Sequence, residues 1–527
     1  MTTLSRRHFL GGTAASALAL GTYLPTRSAL AGQATPAASP VASGVSPSAL
    51  EDLRGRLHGT LMLPGDSGYA SASAPANGRY ADILPVAVAR CADEADVVTC
   101  IAWCNENGVP PVGRGGGHSY AGFSTTTGLM IDLRRLNSVV VDRNSATVTC
   151  GGAALNRDFF IATENGPLFL PGGTCLGVGM GGLTLGGGIG YNTHWAGLTC
   201  DHLTASRIVT ANAEVLDLAD STGDPISNDL FWASRGGAGG NFGINTSFTF
   251  NLLDVPQRPV SFYRFEWMGD EVAAEVISTF HQVLASAPAA LNAVVMAEAT
   301  DRETDPRAAI HTMTRGQYIG PVDELRDLIE PLNAIGGKTF DYLEELSFWD
   351  IQRMIASEEP PQHNFGDMSR YALEPIADDV VAGVVDLIAE CPHRADDANG
   401  SFWSLGWVGG DVVGQFGRTD TAYVHRDAFT LLRPTTVWPT DAPASVGDEL
   451  NAWTADVISL ITPHTPDESY QNFPNRDLER WETQYYAENL DRLVNIKTSV
   501  DPTNLFNNPQ SVPTSDMLAA KQRGSNA

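Results

Sequence analysis

Apolar residues fall at helical spacing over residues 94–107, with Val97, Ile101 and Cys104 on one side and Gly108 as a C-terminal stop. The period then shortens. Residues 109–112, 128–133, 139–142 and 146–150 are short apolar or alternating runs of the strand type. Residues 207–218 predict a hairpin turning around Asn212, residues 229–234 a short helix, and residues 246–252 an alternating strand. Helix and strand signals therefore alternate across a first region, 48–254. From 255 to 460 the glycine clusters thin out, and helices over 270–285 and 377–389 are predicted between strands, as in a second α+β domain. Residues 423–438 predict a strand. Residues 477–496 predict one amphipathic, aromatic-rich helix in a closing segment, 461–514, which leaves 515–527 as a tail. There is no internal repeat.

Composition narrows the function. A chain of 527 residues exceeds one small core, so two or three domains are expected. With 33 basic against 61 acidic residues the formal charge is −28, which disfavours nucleic acid and anionic membrane surfaces as partners. No apolar run is long enough to span a bilayer. Residues 1–31 carry a twin-arginine pattern, Ser5-Arg6-Arg7-His8-Phe9-Leu10, then a weakly apolar run ending in the small-residue site Ala29-Leu30-Ala31. This order predicts an export signal and the twin-arginine machinery as a transient partner, which places the mature protein outside the cytoplasm. Residues 32–47 read as a Pro/Ala/Ser linker.

Seven cysteines are too few for a disulfide scaffold. If Cys175 is used chemically, Cys91, Cys100, Cys104, Cys150, Cys200 and Cys391 remain. Buried apolar thiols are the plainer reading, and the sequence assigns no disulfide pairs. No Cys/His set has zinc spacing, so no metal is expected.

Two glycine-rich loops carry the chemistry. The first is Arg114-Gly115-Gly116-Gly117-His118-Ser119-Tyr120, and the second is Gly173-Thr174-Cys175-Leu-Gly177-Val178-Gly179-Met-Gly181-Gly182, continuing to Gly186-Gly187-Gly188-Ile-Gly190-Tyr191. Glycine permits positive φ and close ligand approach, and runs of exposed amides form anion-binding concavities. Taken alone, His118 reads as a loop histidine capping backbone and Cys175 as a buried thiol. Each within such a loop, they suggest a cofactor both cradled and covalently held. A rival reading is a dinucleotide-binding turn, since residues 177–182 match GxGxxG and Asp201 follows at a suitable distance. Its third glycine must open a helix, and the glycine-rich continuation predicts none.

These motifs resemble the berberine-bridge-enzyme-like oxidases of the vanillyl-alcohol-oxidase flavoprotein superfamily. Residues 114–120 resemble the loop whose histidine bonds the flavin 8α-methyl group. Gly173-Thr174-Cys175 and the glycine run resemble the segment whose cysteine bonds flavin C6. Residues 197–201 and 229–243, with Asn241 and Gly243, are similar to later FAD segments, and the adjoining Ile244 is expected at the cofactor as well. Tyr470-Gln-Asn472, Trp481, Tyr485, Asn489, Lys497, Asp501, Phe506 and Gln510 resemble the C-terminal signature.

The resemblance implies an α+β fold: a bipartite PCMH-type FAD-binding domain, and a substrate domain of antiparallel sheet covered by helices. It implies FAD attached through His118 and Cys175, and a hydride transfer from a small alcohol-bearing substrate to flavin N5. That substrate would be a sugar or oligosaccharide first and a secondary metabolite second. O2 would be the electron acceptor, giving H2O2, and Tyr470 the base. In similar enzymes a valine at the place of Val178 leaves space for oxygen, whereas leucine closes it. Counting back from Trp438, the place where the family points Gln or Glu at substrate holds Arg433. Arg433 would grip a substrate carboxylate, lower the Tyr470 pKa, or simply face solvent. Two alternatives stay open at this stage: a dehydrogenase with another acceptor, and a flavin-free binding protein on the same scaffold.

Overall fold

The computed structural model describes residues 44–220, 222–300, 305–358, 362–393 and 401–525; the export signal lies outside the described residues. Two small sheets, one large sheet and a two-stranded pair of Leu168–Phe169 with Leu253–Asp254 organise the described residues.

The first sheet runs in the order Thr60–Met62, Ala87–Arg90, Leu129–Asp132, Pro111–Arg114, and its last three strands are parallel. The helix Glu94–Asn107 feeds it. The Asp93 carboxylate accepts from the Asp96 amide at its start, and Gly108 closes it at φ 62°. The following strand begins at Pro111 rather than Val109, because the Val109 amide is committed to the helix end, bonding the Cys104 carbonyl. Proline without an N–H is tolerated there because the strand lies at the sheet edge.

The second sheet is antiparallel, in the order Val139–Asp142, Thr147–Gly151, Ile244–Asn251, Leu203–Val209, Val215–Ala219. The predicted hairpin is present, with Val209 opposite Val215 and Ala213 at φ 61° in its turn. The helix before a third glycine cluster, residues 235–243, starts at Pro225, because Asp224 caps it and proline suits the first turn.

The large sheet, also antiparallel, runs Phe340–Leu346, Val260–Met268, Ile310–Tyr318, Leu291–Ala299, Phe402–Trp407, Thr430–Trp438, Asn364–Asp367, with Arg370–Ala372 also on Thr430–Trp438. Helices Asp270–Ser286, Asp378–Ala389 and Ala444–Ile461 bury one face through Tyr263, Phe265, Val295, Leu405 and their own apolar stripes. The other face looks toward the first half of the chain.

Three expectations are corrected. Met180–Leu185 is helical despite its glycines. Packing requires glycine there, since a Cβ on Gly181 would sit 2.7 Å from the Gly152 carbonyl, and this overrides propensity over so short a span. The helix over 477–496 is broken into Trp481–Tyr486 and Leu490–Val500 by a 3₁₀ turn with Ala487 at φ 40°. Asn489 in that turn donates to the carbonyls of Arg418 and Thr421, which anchors the break. The strand expected over 423–438 begins only at Thr430. Ahead of it Arg426 turns to make a bidentate, buried ion pair with Asp201, at 3.0 and 2.8 Å.

The closing segment returns to the first half. Trp481, Tyr485 and Leu493 join the core of the second sheet, and Phe506 joins that of the first. The buried Lys497 ammonium donates to the Asn241 and Phe506 carbonyls and to Asp501, at 2.6–2.8 Å.

Candidate functional site

Both glycine loops, the third glycine cluster and the closing segment converge on one cavity of about 350 Å³. Its wall holds Gly115, Gly116, Gly117, His118, Ser119 and Tyr120 from the first loop. It holds Gly173, Thr174, Cys175, Val178, Gly179, Gly181 and Gly182 from the second, then Gly243 and Ile244, and finally Arg433, Tyr470 and Asn472. His118 and Cys175, on different loops, thus face the same space.

The loops pack on each other directly. A Cβ on Gly116 would lie 2.5 Å from the Gly179 amide, so only glycine allows the two backbones to meet. A Cβ on Gly182 or Gly240, both lining residues, would enter open space, which fits a wall shaped for a ligand pressed against main chain. Cys175 forms an isolated bridge with Ser357, whose hydroxyl lies 3.4 Å from its sulfur. His118 lies 6.0 Å from the Tyr120 ring and 6.4 Å from Phe365 of the large sheet.

Eight expected cofactor-binding residues do not line this cavity. Arg114 is buried behind it, donating to the carbonyls of Ser124, Ala74 and Ser73, and so braces the loop. Gly186, Gly187, Gly188 and Gly190 serve close packing, against Asn472, Tyr423, Thr199 and the Gly172 carbonyl. Asn241 donates to the Gly237 carbonyl and accepts from the Val512 amide, tying loop to closing segment. Gly177 sits against Gly116, behind the loop contact. Tyr191 lines a second, smaller cavity of about 80 Å³ with Phe169, Asn192 and Trp349. The dinucleotide-turn reading also fails on its acidic residue, because Asp201 is spent on Arg426.

Tyr470 is held by three converging donors. Gly187 and Gly188, at φ 119° and 91°, turn the backbone so that the Gly188 and Ile189 amides both donate to the phenolic oxygen at 3.1 Å. Asn472 donates a third bond at 3.1 Å. Burial pushes the phenol up to about 12, and these three donors pull against it.

Arg433 does not face solvent. Its Nε donates to Asp367 at 2.6 Å, its Nη2 donates to the Tyr120 hydroxyl at 2.8 Å, and its guanidinium sits 3.9 Å over the Phe473 ring. It therefore already holds a carboxylate, an internal one, and the groups acting on the Tyr470 phenol are the loop amides and Asn472 instead. Burial pushes Asp367 up to about 6 against the pull of Arg433 and Thr435, and its Oδ1 has no partner. Asp367, Phe473 and the Ile189 amide escaped the sequence reading. Asp367 stands alone in an unremarkable stretch, and an amide leaves no residue-type signal.

Comparison with known proteins is consistent with this geometry. The family model described as "FAD binding domain" matches residues 85–219, and "Berberine and berberine like" matches residues 469–513. The FAD-linked oxidoreductase YgaK of Bacillus subtilis is 31% identical over 468 residues, covering 87% of this chain and 97% of its own. The xylooligosaccharide oxidase of Thermothelomyces thermophilus is 27% identical, with 84% and 90% covered. The structure of BBE-like 1 from Physcomitrella patens superposes with a TM-score of 0.77 at 23% identity, over 88% of this chain and 99% of that one. With two family segments in order and a relative aligned over nearly its whole length, the chain belongs to the berberine-bridge-enzyme-like FAD-linked oxidoreductases.

Proposed function

We propose that this oxidoreductase is an exported oxidase carrying FAD linked through both His118 and Cys175. It would oxidise an alcohol-bearing small molecule, a sugar or oligosaccharide before a secondary metabolite, with O2 as acceptor. The observation that carries this reading is the convergence of His118, Cys175 and Tyr470 on one glycine-walled cavity. The residues fit the cofactor: main-chain amides and open glycine positions line the wall, and each candidate attachment atom has a loop of its own. Bound FAD would supply the two-electron acceptor and its reoxidation by oxygen. The names of the oligosaccharide oxidases among the relatives favour sugar substrates. Val178 in the wall favours access by oxygen.

The chain's own part is positional and acid–base. Tyr470 takes the proton of the substrate hydroxyl on its phenolic oxygen. A neutral phenol has one O–H and two lone pairs, so three converging N–H donors suit the phenolate better than the phenol. Asn472 and the two loop amides thus favour the state that Tyr470 must reach. Phe473 packs edge-on against the Tyr470 ring and Tyr120 is tilted against Phe473, which fixes the ring that carries that oxygen.

The test is acid unfolding followed by a denaturing gel under ultraviolet light and peptide mass mapping. Flavin is expected on peptides holding His118 and Cys175. His118→Ala and Cys175→Ala should each leave one linkage, and the double variant should release all flavin on unfolding. Flavin lost from the unfolded wild type would end the dual-linkage reading. Slow reoxidation of reduced enzyme in air would end the oxidase reading and leave a dehydrogenase.

A further inference from the structure

The large sheet presents to the glycine loops a face crowded with charge. Strand alternation and register put Arg264, Glu266, Glu298, His311, Arg315, Arg433 and Asp367 on it, opposite the helix-covered face of Tyr263, Phe265 and Val295. Its orientation is fixed by contacts with the first half. Arg433 donates to Tyr120, and Asn292 accepts from the His194 amide at 2.9 Å.

Six of these seven charges compensate one another. Arg264 pairs with Glu266. His311 bridges Glu266 and Glu298, both at 3.2 Å. Arg433 pairs with Asp367. Arg315 is the exception. Among the described residues no carboxylate is paired with it, and its Nε is buried with no acceptor. Across the strands it sits opposite Arg264, a like charge, and Val294. Its guanidinium lies 5.7 Å from the centre of the Tyr191 ring, whose own hydroxyl is buried without a partner. Burial and Arg264 both work against its charge. The register puts Arg315 on the same face as Arg433, which reaches Tyr120, and so on the cofactor side of the sheet.

Space adjoins it. One strand beyond Val294 comes Gly406, on the same face, and a Cβ there would meet nothing within 4 Å. Beyond Gly406 come Leu431 and Tyr371, which pack with Tyr470. Three strand spacings, roughly 14 Å in all, separate the Arg315 strand from that of Leu431. That is the span of a molecule of about disaccharide size.

We infer that the substrate is a carboxylate-bearing alcohol, its carboxylate held by Arg315, its body over Gly406 and its hydroxyl at Tyr470. The inference rests on the oxidase reading and deepens it. A fork of N–H donors with no internal acceptor matches a planar carboxylate. In a chain of formal charge −28, only such a local, desolvated cation would draw an anion in.

The experiment is titration calorimetry of the flavin-loaded protein with cellobiose and with the matching uronic-acid disaccharide, beside a peroxide assay on both. The wild type should bind the acid at least tenfold more tightly than the neutral sugar. Arg315→Met should abolish that preference, and Arg315→Lys should keep part of it. Removing an uncompensated, half-buried charge should leave Tm unchanged or raised, whereas a structural arginine would lower it. No preference in the wild type, or the same preference in Arg315→Met, overturns the inference. Preferential binding of the acid without peroxide from either sugar would instead count against the oxidase reading while the carboxylate site stands.

Discussion

At Tyr470 three N–H groups meet one phenolic oxygen, and the arrangement makes a kinetic prediction. Burial holds the phenol up to about 12, so at neutral pH little phenolate exists and activity depends on what the donors and the substrate do together. A base that must lose its proton gains activity as pH rises. kcat/KM should therefore climb from about pH 6 toward about pH 10, with no alkaline plateau short of that range. Tyr470→Phe should lower it by about 10²- to 10⁴-fold and flatten the pH profile, while flavin content stays as in the wild type and Tm falls modestly because two buried loop amides lose their acceptor. A variant with an unchanged profile would move the proton transfer elsewhere. Tyr470 was legible from the sequence through its Tyr-x-Asn setting. Its holders were not: the amides of Gly188 and Ile189 come from a loop far away in sequence, and only their positive-φ glycines left a trace.

At the element scale, the charged face of the large sheet explains why its strands keep polar residues beneath a buried surface. His311 is the clearest case. Burial opposes its charge, yet the bonds to Glu266 and Glu298 win and hold it up to about 9, above its ordinary 6.5. Because the folded-state value is the higher one, the stabilisation is fully present below pH 6.5 and is lost as pH rises through 9. A shift of this size corresponds to about 3 kcal/mol at most. His311→Gln should therefore be markedly less stable than the wild type in denaturant at about pH 6, and much closer to it at about pH 10. A gap of equal size at both values would mean that His311 acts through packing. None of this cluster shows in the sequence, because Glu266, Glu298 and His311 lie on three strands whose pairing only the fold supplies. Helix Glu94–Asn107 is the opposite case: its stripe, Asp93 cap and Gly108 stop are all local, and it forms where the pattern predicts.

For the whole molecule, the closing segment is the clasp. Lys497 is fully buried, and through Asn241, Asp501 and Phe506 it joins the helix Leu490–Val500 to the third glycine cluster. Removing one partner of a buried pair leaves the other charge uncompensated, at a cost of about 3–5 kcal/mol. Lys497→Met should lower the denaturant midpoint accordingly. Flavin content should fall with it, because the closing segment carries Tyr470 and part of the cavity wall. An unchanged midpoint would show that the clasp lies elsewhere, with the buried Arg426–Asp201 pair the next place to look.

The sequence by itself determined what is local or chemically typed. It placed the two glycine loops with one reactive side chain in each, the amphipathic helix over 94–107, the hairpin around Asn212, and a family whose motifs span the chain. Tertiary structure decided which of those residues share a surface. It set Arg114, Asn241 and the glycines at 186, 187, 188 and 190 behind the wall, and broke the helix over 477–496 at Ala487. It gave Arg433 an internal carboxylate and left Arg315 without one. The reason is physical. Propensity, capping and motif chemistry act over a few neighbours, whereas charge compensation and cavity shape depend on distances between residues hundreds of positions apart, fixed only when the sheet and the loops close on each other.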